Sequence, residues 1–132
     1  MSQIVRPPTA FALDGLRQKQ PRQHDRGHLV WIRTLPSLVP GHDRVEAAHI
    51  RYADDRTGKR SVGMALKPSD KWVVPLAADQ HRDQHSGSER DWWIAHGIDP
   101  VIIAALLYAH SGDDTAAQIV IRNARAITRR SF

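Results

Sequence analysis

The chain has 132 residues, of which 41% are hydrophobic and 25% are charged, a composition typical of one globular domain rather than a disordered segment. It contains no cysteine, which excludes disulfides and cysteine–zinc sites, so that any metal ligand must be His, Asp, Glu or water. The net charge of +5 favours a polyanionic partner such as nucleic acid, although many soluble proteins carry this charge without one. No segment has the length and apolar character of a membrane span or a signal peptide, which predicts a cytoplasmic protein with no membrane partner.

The first half of the chain predicts an arm followed by two strands. Residues 1–24 are polar and contain three prolines, and we expect a flexible arm that precedes a single domain at 25–132. An apolar segment at 28–35 ends at Pro36. Alternating residues predict a strand at 44–52, a long polar stretch up to residue 71 predicts a loop, and the apolar residues 72–76 predict a second strand.

The second half of the chain predicts helices. Residues 77–85 form the first, and the segments that follow carry start signals: Ser88 as the N-cap of 88–97, and Asp99 with Pro100 at the start of 99–112. Residues 113–130 predict a long final helix. The order of elements indicates an α+β fold with a small two-stranded unit rather than a doubly wound sheet.

Three histidines are the candidate chemical site. His81 and His85 are four residues apart and share one face of the predicted helix. His49 lies near the end of the first strand, and a hairpin followed directly by a helix can bring it beside that face. The three imidazoles can then surround one cation, or two can hold the cation while the third removes a proton from water. The alternatives are two ordinary surface histidines and a half-buried strand histidine bonded to backbone.

Two basic groups could bind a phosphate backbone. One group lies on the first strand and the loop, and comprises Arg51, Arg56, Lys59, Arg60, Lys67 and Lys71. The other is a stripe on the final helix, formed by Arg122, Arg125 and Arg129. The alternatives are a solvated loop and arginines that complement the helix dipole. For the neighbours Trp92 and Trp93, we expect one in the core and one as partial cover, with base stacking as the alternative.

Four segments give a resemblance to a known family. "AAHIRYAD", "KPSDKWVVPL", "HRDQHS" and "ERDWWIAHGIDP" follow one another in the order and spacing of the phage and prophage HNH-type endonucleases of the RecA-enhancing-factor kind, which are ββα-metal nucleases. The likeness covers about residues 28–107. It implies a hairpin and helix around one divalent ion (Mg²⁺, Mn²⁺ or Zn²⁺), with His49 as the catalytic histidine and His81 and His85 at the metal. The implied partners are DNA and RecA-type recombinase filaments.

The chain departs from that family at two places. Ser37, Pro40, Ala77 and Gln80 stand where three cysteines and a histidine would bind a structural zinc, so we expect no structural zinc and expect apolar contacts in its place, from residues 28–35, Leu38, Val39 and the later helices. Ala48 stands where many ββα-metal nucleases have an acidic metal ligand, which leaves Glu46, Asp54 and Asp70 as candidates.

The sequence therefore predicts a metal-dependent DNA endonuclease or nickase in a bacterial or phage-infected cell. One alternative is an HNH-fold DNA-binding or protein-interaction module without catalysis. Another is a structural phage component whose histidines are incidental.

Overall fold

The computed structural model describes residues 24–52 and 69–130, with side chains described as far as residue 125. The elements are α1 (Arg26–Ile32), β1 (Val45–His49), β2 (Val73–Ala77), α2 (Ala78–Gln84), α3 (Glu89–Ala95), α4 (Pro100–Ala109) and α5 (Asp114–Arg130). This is the predicted α+β arrangement of a hairpin followed by helices. The predicted arm, apart from its last residue, and residues 53–68 of the predicted loop lie outside the described residues.

The two predicted strands are confirmed and pair as an antiparallel hairpin. Glu46 lies opposite Leu76 and His49 lies opposite Val73. β2 is buried throughout, whereas in β1 only Ala48 is buried. Helix α2 begins at the residue after β2 ends, so its first turn is held next to the hairpin.

The helix ends follow the local signals in the sequence. The Ser88 hydroxyl accepts the Asp91 N–H at 3.3 Å, and the Asp99 carboxylate accepts the Ile102 N–H at 3.4 Å. Gly97 has φ 68° and ends α3, a left-handed conformation that glycine adopts without strain. None of the described helices alone is long and apolar enough to cross a membrane. Helices α3 and α4 reach the required length and apolar composition only when they are taken together, and the chain bends by 89° between them.

The core lies between the hairpin and the helices. The apolar segment at 28–35, for which the sequence predicted no secondary structure, contributes residues 28–32 to α1. The N-cap of this helix is Asp25, whose side chain accepts the His28 N–H at 3.0 Å. Trp93 is 1% exposed, whereas Trp92 is half-buried and donates its indole N–H to Asp83 at 2.8 Å. The expected division into one core tryptophan and one partial cover is therefore confirmed. The largest fully buried side chains include Ile32, Leu38, Leu76, Leu107 and Ile121.

Candidate metal centre

His81 lies in α2 and His85 is the C-cap residue of that helix, so that their rings lie side by side. Their Nε2 atoms are 3.1 Å apart and their ring centroids 4.7 Å apart. Imidazole nitrogens bind zinc at about 2.0–2.1 Å. If both nitrogens bound one ion at that distance while 3.1 Å apart, the N–metal–N angle would be roughly 100°. This angle lies between the octahedral and tetrahedral values. The pair is thus spaced as two ligands of one cation.

A carboxylate on β1 orients the first of these rings. Glu46 Oε1 lies 2.8 Å from His81 Nδ1. An ionised carboxylate only accepts, so Nδ1 carries the proton and the lone pair of Nε2 is directed toward His85. A carboxylate behind a metal-binding histidine is the usual way in which proteins fix that tautomer and ring direction. We call Glu46, His81 and His85 the histidine site.

The surroundings of the second ring favour its neutral form. Burial lowers the pKa of His85, and the neighbouring His81 and Arg51 lower it further. A metal binds the neutral imidazole, so this shift favours the ligand form of His85 at neutral pH.

His49 has a different partner. Its Nε2 lies 2.9 Å from Asp70 Oδ1, and the Asp70 side chain is only 4% exposed. Within residues 24–52 and 69–130, no three histidine or acidic side chains form a group that can hold a metal ion. The expected three-imidazole group is therefore not present in that part of the chain, which shows instead a histidine pair and a separate His49–Asp70 pair.

The candidates for an acidic metal ligand have other roles. Glu46 and Asp70 each contact one histidine ring, and Asp54 lies outside the described residues. Ala48 shares a face of β1 with Glu46, because side chains alternate along a strand, but its methyl group offers no ligand atom. A divalent ion bound here would fill its other positions with water and phosphate oxygens, as Mg²⁺ commonly does.

The basic residues near the site are only partly described. Arg56, Lys59, Arg60 and Lys67 lie outside the described residues. Arg51 lies near His85, and its backbone N–H donates to Glu89 Oε1 at 3.2 Å. The Lys71 ammonium lies 4.8 Å from the centroid of the Trp72 ring, a cation–π contact. Two of the six predicted phosphate ligands of this group are thus placed beside the hairpin.

The predicted arginine stripe on α5 is divided between two roles. Arg125 is half-buried, and its Nε donates to the Ser37 carbonyl at 2.9 Å with Nη2 on the same oxygen. Arg122 is exposed and lines a cavity of about 360 Å³ next to Leu38. The side chain of Arg129 lies outside the described part. Arg125 therefore joins α5 to a loop, and Arg122 is the described arginine of the stripe that faces solvent.

The four positions that the resemblance assigns to a structural zinc lie together. The Ser37 hydroxyl accepts the Ala77 N–H at 2.8 Å and donates to the Val39 carbonyl at 2.6 Å, and Gln80 donates its side-chain amide to the Pro40 carbonyl at 3.1 Å. These side chains offer neither thiolate nor imidazole, so the position does not fit a zinc ion. We call residues 37–43 with 77–80 the loop junction.

The loop junction is closed by backbone contacts as well. The Asp79 carboxylate accepts the His42 and Asp43 N–H groups at 3.0 and 3.2 Å, and these bonds lower the pKa of Asp79 despite some desolvation. A Cβ on Gly41 would come within 2.6 Å of the Ala77 Cβ. Leu38 and Val39 are buried, as expected, but the hydrogen bonds were not predicted.

Sequence reasoning missed the roles of Glu46 and Asp70. Glu46 shares one face of β1 with Ala48, and the predicted helix was expected to lie beside this strand; these two signals could have paired Glu46 with His81. Asp70 carries no such signal, since its approach to His49 depends on the fold of the turn before β2.

No family model, curated protein or solved structure matches this chain.

Proposed function

We propose that this protein is a metal-dependent DNA endonuclease or nickase of the ββα-metal type, derived from a phage or prophage. The observation that carries the proposal is the histidine site. Two imidazole nitrogens 3.1 Å apart, one of them oriented by a carboxylate, lie on the helix that directly follows an antiparallel hairpin. The order of these elements agrees with the resemblance in the sequence.

The roles follow from the chemistry of each group. His81 and His85 would hold one divalent ion, and the ion would neutralise charge that develops on a phosphate oxygen and on the leaving oxygen. His49 would remove a proton from the attacking water. Arg51 and Lys71, with the basic residues of the loop, would bind the DNA backbone without reading its sequence. A RecA-type recombinase filament is a second proposed partner, on the resemblance alone.

A supercoiled-plasmid assay with Mg²⁺ or Mn²⁺ tests the proposal. We expect the wild type to convert supercoiled DNA to the nicked or linear form, and His49→Ala to lower the rate by about a hundredfold or more, the contribution typical of a general base. His110→Ala is the matched control, because His110 is exposed and lies after α4. Equal rates for wild type and His49→Ala, or no cleavage by the wild type with either ion, would contradict the enzyme proposal.

One observation favours a second candidate, a DNA-binding module that has the same frame without catalysis. The described residues contain no group of three histidine or acidic side chains that can hold a metal ion. Such a module would bind DNA with a steep dependence on salt and would bind no metal. A melting-temperature titration separates the two, since an ion at a hundred times its Kd stabilises the native state by about 2.7 kcal/mol. No change with Mg²⁺, Mn²⁺ or Zn²⁺ would favour the module.

A further inference from the structure

The His49 ring contacts the buried carboxylate of Asp70. His49 is the last residue of β1, and its side chain is 17% exposed. The Asp70 carboxylate lies in the turn before β2, three residues before the cross-strand partner of His49, and is 2.9 Å from Nε2. The contact therefore joins the end of β1 to the turn that precedes β2.

The Asp70 carboxylate is itself fixed by a second element. Its other oxygen, Oδ2, accepts the backbone N–H of Asp25 at 2.8 Å. Asp25 caps α1 with one side-chain oxygen and accepts the Tyr108 hydroxyl of α4 with the other, at 3.2 Å. Both oxygens of Asp70 therefore have donors, as a buried carboxylate requires, and helix α1 sets its position.

From this geometry we infer that Asp70 is the positioning residue of His49, an inference that rests on the proposed nuclease function. The carboxylate accepts the Nε2–H proton, so Nδ1 is the nitrogen that acts as the base. Water loses a proton to Nδ1, its oxygen forms a bond to phosphorus, and the bond from phosphorus to the leaving oxygen breaks. The leaving oxygen keeps the electron pair of that bond and takes a proton from solvent. Asp70 stabilises the imidazolium that forms, without taking its proton.

The tautomer of His49 tests the contact without any activity. We expect ¹⁵N-histidine spectra of the full chain at alkaline pH to show His49 protonated at Nε2, with the signal assigned by its loss in His49→Gln. In Asp70→Ala the ring should become a mixture of both tautomers. Protonation at Nδ1 in the wild type, or an unchanged tautomer in Asp70→Ala, would overturn the inference.

Kinetics test the role. We expect Asp70→Ala to lower kcat for plasmid nicking about tenfold or more while KM for DNA stays within about twofold, because the base is misdirected and DNA contacts are kept. Asp70→Asn retains an acceptor oxygen and should recover part of kcat. This conservative variant also keeps the role testable if Asp70→Ala folds poorly. Tyr108→Phe is the control for a merely structural effect, as it removes a donor to the Asp25 side chain and leaves the Asp70 carboxylate in place.

An equal fall in kcat for Tyr108→Phe and Asp70→Ala, or no recovery in Asp70→Asn, would overturn the positioning role. The spectra report on the contact alone, whereas absence of nicking by the wild type overturns the proposed function. The two failures are therefore distinguishable.

Discussion

The loop junction and the histidine site lie at opposite ends of the same short helix, and they use polar atoms in opposite ways. At the junction, the polar side chains of Ser37, Gln80 and Asp79 each hydrogen-bond to backbone groups. At the histidine site, two ring nitrogens lie 3.1 Å apart, and the Glu46 carboxylate contacts the other nitrogen of the His81 ring. The first arrangement stabilises a fold, and the second is suited to a cation.

The difference shows what each region needs from its residues. A buried hydroxyl with a donor and an acceptor closes the junction without an ion, since the N–H of Ala77 and the carbonyl of Val39 are both satisfied. In the contact between two neutral imidazoles one nitrogen donates and the other accepts, whereas a metal ion would take the lone pairs of both nitrogens. Substitutions in each region test this contrast.

Removing the Ser37 hydroxyl should cost the most stability. Ser37→Ala leaves a buried N–H and a buried carbonyl without partners, and each such group costs about 1–3 kcal/mol. We expect the free energy of unfolding in urea to fall by about 2–4 kcal/mol. Ser86→Ala is the matched control, since Ser86 is exposed and also donates to a nearby carbonyl. Equal losses in the two variants would contradict the role given to Ser37.

The two described arginines of α5 should separate into a stabilising and a DNA-binding residue. Arg125→Met removes the two donors on the Ser37 carbonyl but retains the aliphatic stem, and should cost about 1–2 kcal/mol of stability. Arg122→Met should leave stability within about 0.5 kcal/mol, as surface substitutions usually do. Its DNA affinity should fall, and the slope of log K against log salt should decrease by about 1. The opposite pattern would mean that Arg125, not Arg122, faces DNA.

Acid should weaken the fold through His28, which lies away from both regions. Burial lowers the pKa of His28 below 6.5, while the nearby Asp25 and Asp70 oppose the shift. The unfolded chain therefore binds a proton more readily, so the stability from His28 is fully present above about pH 6.5 and is lost as the pH falls below it. We expect urea midpoints measured between pH 7.5 and 5.5 to fall less steeply in His28→Phe than in the wild type.

His85 titrates in the same direction, since its pKa is lowered too. Introducing His85→Gln into the wild type and into His28→Phe removes the contribution of His85 to the pH dependence of stability. Parallel pH curves for the His28→Phe, His85→Gln double variant and for His85→Gln alone would contradict the role of His28.

Local signals in the sequence predicted the elements well, and contacts between elements less well. The caps at Ser88 and Asp99 and the stop at Gly97 depend on neighbours in the chain, so a short pattern suffices to find them. The pair His81 and His85 is also local, because four residues span one helical turn. The Asp70 contact to His49 and the Arg125 contact to Ser37 join residues 21 and 88 positions apart. No periodicity encodes such distances, and Arg125 was accordingly assigned to DNA.

The most direct test of the account is the stoichiometry of Mn²⁺ binding, measured by calorimetry on the full chain. We predict one ion per chain in the wild type and in Gln80→Ala, which alters only the loop junction, and no binding in the double variant His81→Gln, His85→Gln. Absence of Mn²⁺ binding by the wild type, or equal binding by the double variant, would contradict the claim that the two imidazoles on α2 hold a cation.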